Sequence, residues 1–136
     1  MDNEDKRSLA RLRFERAEEL AVEAENLLKN DHYKSANNRA FYSAEKAIKA
    51  ALAVREKDSE SHIGLIRAFN MEFIHNPSEF FNREDMSNLQ SMERVRSASD
   101  YDDFYVASKT ECEEQVKKAR SLLEKVKKYL IAKAIL

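Results

Sequence analysis

The sequence predicts a soluble, all-helical single domain, and three observations predict it. Apolar residues recur at spacings of three and four along most of the chain, the period of a helix that buries one face. One glycine and one proline in 136 residues leave little turn chemistry for strands and hairpins, while Ala, Leu, Glu, Lys and Arg abound. That length suits one domain with a real core, so residues 1–136 read as a single unit.

Bulk charge and cysteine usage narrow the function classes. Charged residues make up 36% of the chain, yet the net charge is only −1, so no whole-molecule field recruits nucleic acid; a local basic patch stays open. The opening MDNEDKR is too polar for a signal peptide, and no apolar run approaches a membrane span. Cys112 is the sole cysteine, which forbids an intrachain disulfide and makes a reducing cytoplasm the expected compartment.

The first helix is expected from about Asp5 to Leu28, where Ala10, Phe14, Ala17, Ala21, Ala24 and Leu28 form a stripe widened by Leu20 and Leu27. Lys29-Asn30-Asp31 is a short break in which Asn30 or Asp31 can cap the second helix. A connection that short joins antiparallel neighbours, so the first two helices should form a hairpin. The second helix, Tyr33 to Leu52, organises the rest. Its face of Tyr33, Ala36, Ala40, Phe41, Ala44, Ala47, Ile48, Ala51 and Leu52 is mostly alanine, so neighbours can approach closely, as around the central helix of a bundle. Asn38, Arg39 and Tyr42 lie against it, a polar and aromatic set that a surface helix does not need.

A polar loop, REKDSES, precedes a third helix that starts near Ser59 or Ser61 and carries Ile63, Leu65, Ile66, Phe69 and Phe73. It ends before Asn76-Pro77, because proline pushes its predecessor out of the helical region. Phe80 and Phe81 then fold back on the core. Asn82 caps a fourth helix from Arg83 to about Ser97, with Met86, Leu89 and Met92 inward and Val95 at the margin. SASDYDDFYVAS reads as an ordered loop whose aromatics plug the core. Ser108 and Glu111 suit a capping box for the last helix, which buries Cys112, Val116, Ala119, Leu123, Val126 and Leu130. The apolar tail from Ile131 to Leu136 is expected to dock on the bundle or on a second subunit.

Several constellations bear chemistry. Glu72-x-x-His75 has a di-iron spacing but occurs once, at a helix end, so no metal is assigned. Cys112 lies on an apolar stripe beside Glu111, Glu113 and Glu114 and reads as structural. The sole glycine, Gly64, sits inside a helix, so there is no glycine-rich phosphate loop. Arg55 and His62 have an arginine–histidine spacing, but a polar loop separates them and the match reads as chance. His62 reads as a cap or an inter-helix hydrogen bond before a general base. The group that stands out is Arg96, Asp100 and Tyr101, with Arg94 close by. An arginine can hold a phosphate bidentately while an aspartate orients it. The plainer reading is an Arg96–Asp100 bond that ties a loop to the bundle. Tyr101, Phe104 and Tyr105 are also residues that can stack on bases.

RAEELAVEAENLLKNDHYKSANNRAFYSAEKAIKAAL, SHIGLIRAFNMEFI and RVRSASDYDD together resemble the HEPN domain superfamily, and within it the UPF0332 branch. The likeness covers nearly the whole chain. It rests on Asn38-Arg39-Ala40-Phe41-Tyr42, Ser61-His62-x-Gly64 and Arg96-x-x-x-Asp100-Tyr101. The resemblance implies an up-and-down antiparallel bundle of four to five helices, usually a homodimer. Many such proteins are metal-independent ribonuclease toxins, in which an arginine holds the phosphate and a histidine a few residues on acts as base. Here Arg96 takes the arginine's place, but Asp100 and Tyr101 stand where the histidine falls, and none follows His75. A tyrosine of pKa ~10 or an aspartate of ~4 is a poor base at neutral pH.

By that resemblance the chain is a binding component without cofactor, partnered with a minimal nucleotidyltransferase as toxin and antitoxin. Its binding residues are Arg39, Tyr42, Arg96, Asp100 and Tyr101, which could take RNA or a nucleotide, and Tyr101 is the candidate for nucleotide attachment. The first alternative is a metal-independent ribonuclease using Arg96, Tyr101 or His62. The second is a structural dimerisation or adaptor module.

Overall fold

The computed structural model describes residues 2–136 and is built from five α-helices. These are α1 (Asn3–Lys29), α2 (Tyr33–Val54), α3 (His62–Phe69), α4 (Arg83–Tyr101) and α5 (Lys109–Ala132), with a π-helical turn, Asn70–His75, extending α3. Cross-helix contacts fix the directions. Ser43 of α2 donates to the Ala17 carbonyl of α1 while Arg13 reaches the Lys49 carbonyl, so this pair is antiparallel. Asn37 and Phe41 of α2 meet Ser99 and Arg96 of α4, and Asp85 and Ser91 of α4 meet Lys125 and Lys118 of α5, so α4 runs antiparallel to both. The four long helices thus run up and down, as expected, and α3 closes one side.

Helix α2 is central because alanine lets every neighbour in. Of its 22 residues 13 are buried, including Ala36, Ala40, Ala44, Ala47 and Ala51. Beyond its end, Phe69, Phe73, Phe81 and Tyr129 make an edge-to-face cluster, with Phe81 5.3 Å from Phe69 and Tyr129 5.1 Å from Phe73. Phe80 packs on Tyr129 at 5.3 Å, so both loop phenylalanines do fold back. Such pairs add about 1 kcal/mol each beyond area burial.

The helix ends depart from expectation in three places. Neither Asn30 nor Asp31 caps α2: Asn30 closes α1 by donating to the Asn26 carbonyl, and Asp31 takes the left-handed conformation at φ 64°. Helix α4 does not stop at Ser97. No Gly or Pro interrupts Ser97–Asp100, the Ser99 hydroxyl bonds back to the Val95 carbonyl, and winding continues to Tyr101. Its buried stripe is Asp85, Leu89, Met92 and Arg96, with Met86 and Val95 only half-buried. Asp85 tolerates burial because Lys125 lies 2.7 Å away and the Asn82 amide 2.8 Å, completing a capping box with Asn82. Ser108 caps α5, but Glu111 turns to the Tyr105 hydroxyl instead of closing a second box.

The loop aromatics do not plug the core either. Phe104 is 95% exposed and Val106 85% exposed. The tail does dock through Ile135, which is buried, and through Arg7, which donates to the Ala134 carbonyl. Gly64 is needed by Ser61, which caps α3, and by Ser59: a β-carbon at this position would run into the Ser59 hydroxyl. Among the described residues, no helix is long and apolar enough to cross a membrane.

Candidate binding site at the α2–α4 seam

Because α4 stays helical to Tyr101, Arg96 and Asp100 stand one turn apart on one face. Arg96 falls on the buried stripe and is only 4% exposed. Glu93, three residues earlier, takes its guanidinium through two bonds from Nη2, at 2.7 and 2.8 Å. Asp100 accepts a longer bond from Nη1 at 3.4 Å, so the expected pair forms, but within α4 and not between a loop and the bundle. The guanidinium carbon lies 5.6 Å from the Phe41 ring centroid and 5.7 Å from that of Tyr101. Burial alone would lower the Arg96 pKa, but the hydrogen bonds and charge of Glu93 outweigh it and raise it. Arg96 is therefore a permanent, committed cation.

The network runs on into α2 and α1. Asn38 donates to both Asp100 oxygens, at 3.0 and 3.2 Å, and accepts from Arg39, which faces Glu23 of α1 at 3.8 Å. Tyr42, half-buried, has its phenol pKa raised by burial, with Arg96 opposing. Around Tyr101, Lys34, Asn38, Arg39 and Asp100 line an open cleft of about 460 Å³. Tyr101 is 77% exposed at its mouth. Lys34 makes no side-chain hydrogen bond or ion pair among the described residues, so it and Arg39 are the cations that an entering anion would meet.

His62 lies on the other side of Phe41, edge-on at 5.2 Å, and its Nδ1 is 2.5 Å from Glu45 Oε2. That is the inter-helix bond expected of it. Its Nε2 makes no hydrogen bond among the described residues, and its ring lies 5.9 Å from that of Tyr42. Arg96 contacts carboxylates and rings, not this imidazole.

The remaining candidates separate. Arg55 stacks on Phe73 at 4.6 Å and donates to the Glu72 carbonyl, away from His62. Cys112 is fully buried, and burial, with Glu113 and Glu111, pushes its thiol up to about 11. Among the described residues, no three His, Cys, Asp or Glu side chains converge as a metal site would require.

Of the five residues expected to bind, Arg39, Asp100 and Tyr101 line the cleft, Arg96 lies beneath it, and Tyr42 stands beside Arg96. Sequence reasoning missed Glu93, although its three-residue spacing from Arg96 was a signal. It also missed Glu45, a charge on the buried stripe four residues after Phe41, and Lys34, which carries no signal in the sequence.

A four-helix up-and-down core, a capping α3 and a buried arginine beside an exposed tyrosine define a compact helical scaffold with one polar corner. The chain belongs to the HEPN domain family, whose model matches residues 10–129. It is 34% identical over 131 residues to the Methanocaldococcus jannaschii protein named "Putative toxin MJ0142", covering 96% of this chain and 87% of that protein. It is 28% identical over 115 residues to a Thermotoga maritima UPF0332 protein, covering 85% of this chain and 86% of that one.

Proposed function

We propose that this chain is the toxin-type member of a nucleotidyltransferase-linked pair, works as a homodimer, and acts through binding at the Tyr101 corner. The observation that carries this reading is the commitment of Arg96 to Glu93 and Asp100 beside a 77% exposed Tyr101. A phosphate-holding arginine needs free donors. Here the fork is filled, and its effect is to hold Asp100 and the end of α4 in place, so that Tyr101 projects over a cleft carrying Lys34 and Arg39. The toxin name of one relative agrees with this assignment.

In the reaction proposed for the pair, the Tyr101 phenol oxygen attacks the α-phosphorus of a nucleoside triphosphate held by the partner enzyme. An O–P bond forms, pyrophosphate leaves, and the phenol proton passes to a base of the partner. Lys34 and Arg39 favour the phosphates' approach. The test is intact-mass analysis of the protein purified from its source cells. A nucleoside monophosphate adduct that Tyr101→Phe abolishes supports the reading; an adduct on another residue, or none, overturns the attachment step.

One observation favours a second reading. The Glu45-paired imidazole of His62 and the Arg96 guanidinium flank the same Phe41 ring, an arrangement open to metal-independent RNA cleavage. A gel of cellular RNA in chelator, with wild type, His62→Ala and Arg96→Ala, decides it. No cleavage, or equal cleavage by all three, removes this reading.

A further inference from the structure

The chain's eleven arginines divide into two sets. Arg7, Arg11, Arg13, Arg16, Arg39, Arg55, Arg96 and Arg120 each donate a side-chain hydrogen bond. Arg67, Arg83 and Arg94 make no side-chain hydrogen bond or ion pair among the described residues, and all three are exposed. These three line one groove, between α3 with its π turn and α4. Ile63, Ile66 and Met86 give the groove an apolar wall, and Ile63 is 65% exposed. Unpaired cations beside exposed apolar surface suit an occupant that is both acidic and apolar. A bare polyphosphate would leave Ile63 in water.

The chain displays such a segment itself. Directly after α4, Asp102 and Asp103 precede Phe104 and Val106, which are 95% and 85% exposed, and neither aspartate is in an ion pair. Arg94, Tyr101 and Asp102 line a hollow that continues the groove toward this segment. The lengths agree as well. If two α4 helices cross antiparallel about a two-fold axis at Arg94, the segment begins about 12 Å beyond the axis, at ~1.5 Å rise per residue. That places it opposite the other helix near Met86 and Arg83.

We infer that the groove of each copy receives the Asp102–Val106 segment of a second copy, in a reciprocal two-fold contact. Asp102 and Asp103 meet the arginines, and Phe104 covers Ile63 and Met86. This inference rests on the homodimer reading above and names its interface.

Reciprocity gives a stringent test by light scattering after size exclusion, with circular dichroism to confirm helicity. Arg67→Glu/Arg83→Glu sets groove and segment at like charge in both contacts, and so does Asp102→Lys/Asp103→Lys. Each variant alone should be monomeric, while an equal mixture restores a dimer, because both contacts of the mixed pair are then complementary. Phe104→Ser, at a side chain that contributes little to the fold of one copy, should weaken the dimer about tenfold. A wild type that is monomeric overturns both this interface and the homodimer reading. Dimers that persist in the charge variants, or a mixture that stays monomeric, overturn the interface alone.

Discussion

Replacing Arg96 by methionine separates a structural guanidinium from one held ready for a ligand. The methionine keeps an apolar stem against Phe41 but removes the bonds to Glu93 and Asp100. Breaking a buried ion pair from one side costs about 3–5 kcal/mol, since a charge is left without its partner. Here the two carboxylates keep 23% side-chain exposure each and regain some hydration, so the expected loss is about 2–3 kcal/mol. Urea unfolding followed by circular dichroism should show a lower midpoint with an unchanged slope. Adding Glu93→Gln to Arg96→Met should recover about 1 kcal/mol, because the stranded carboxylate is then neutral. A loss below about 0.5 kcal/mol would mean that the two carboxylates do not hold the guanidinium. Arg96 would then be loosely held and free to meet phosphate, and the ribonuclease reading would gain.

Other expectations rest on charge and burial. Cys112, fully buried and with its thiol raised from 9.0 to about 11, should resist a thiol reagent at pH 8 until the protein is unfolded. Because its folded value lies above the unfolded one, its contribution is complete below pH ~9 and is lost as pH rises through about 11, so Cys112→Ala should flatten the alkaline stability profile. Asp58 shifts the other way: burial raises its pKa, but the Ser59 amide and Arg13 outweigh that and lower it. Its contribution is present above the unfolded value of ~4 and is lost as pH falls through the folded one, so Asp58→Asn should show a shallower acid loss in thermal melts. Asp85→Asn strands Lys125 and opens the capping box, and should cost about 3 kcal/mol by urea titration.

The fold was legible because alanine and leucine stripes announce helices whose faces have only one way to be covered. The spacing gave α1, α2 and α5 almost residue by residue, and Pro77 marked the end of α3. What was not legible came from side chains whose partners are remote in sequence. Asp85 reads as a surface acid until Lys125, forty residues on, lies beside it. Arg96 reads as a functional cation until Glu93 and the α2 ring of Phe41 enclose it. The end of α4 was misplaced because Ser and Asp suggest a loop by composition. A Ser99 back-bond to Val95 and the Asn38–Asp100 bonds keep those residues helical instead. Phe104 and Val106 run against the usual burial of apolar loop residues, and the proposed interface would cover them with a second copy.

The partner reading is decided by an affinity pull-down of the tagged protein from its source-cell lysate after ribonuclease treatment, read by mass spectrometry. Wild type and Arg39→Glu/Tyr101→Ala would be compared, since both substitutions fall on exposed side chains of the cleft. A small nucleotidyltransferase should be retained by wild type and lost from the variant. Equal retention by both proteins, or self-association alone, would contradict that reading.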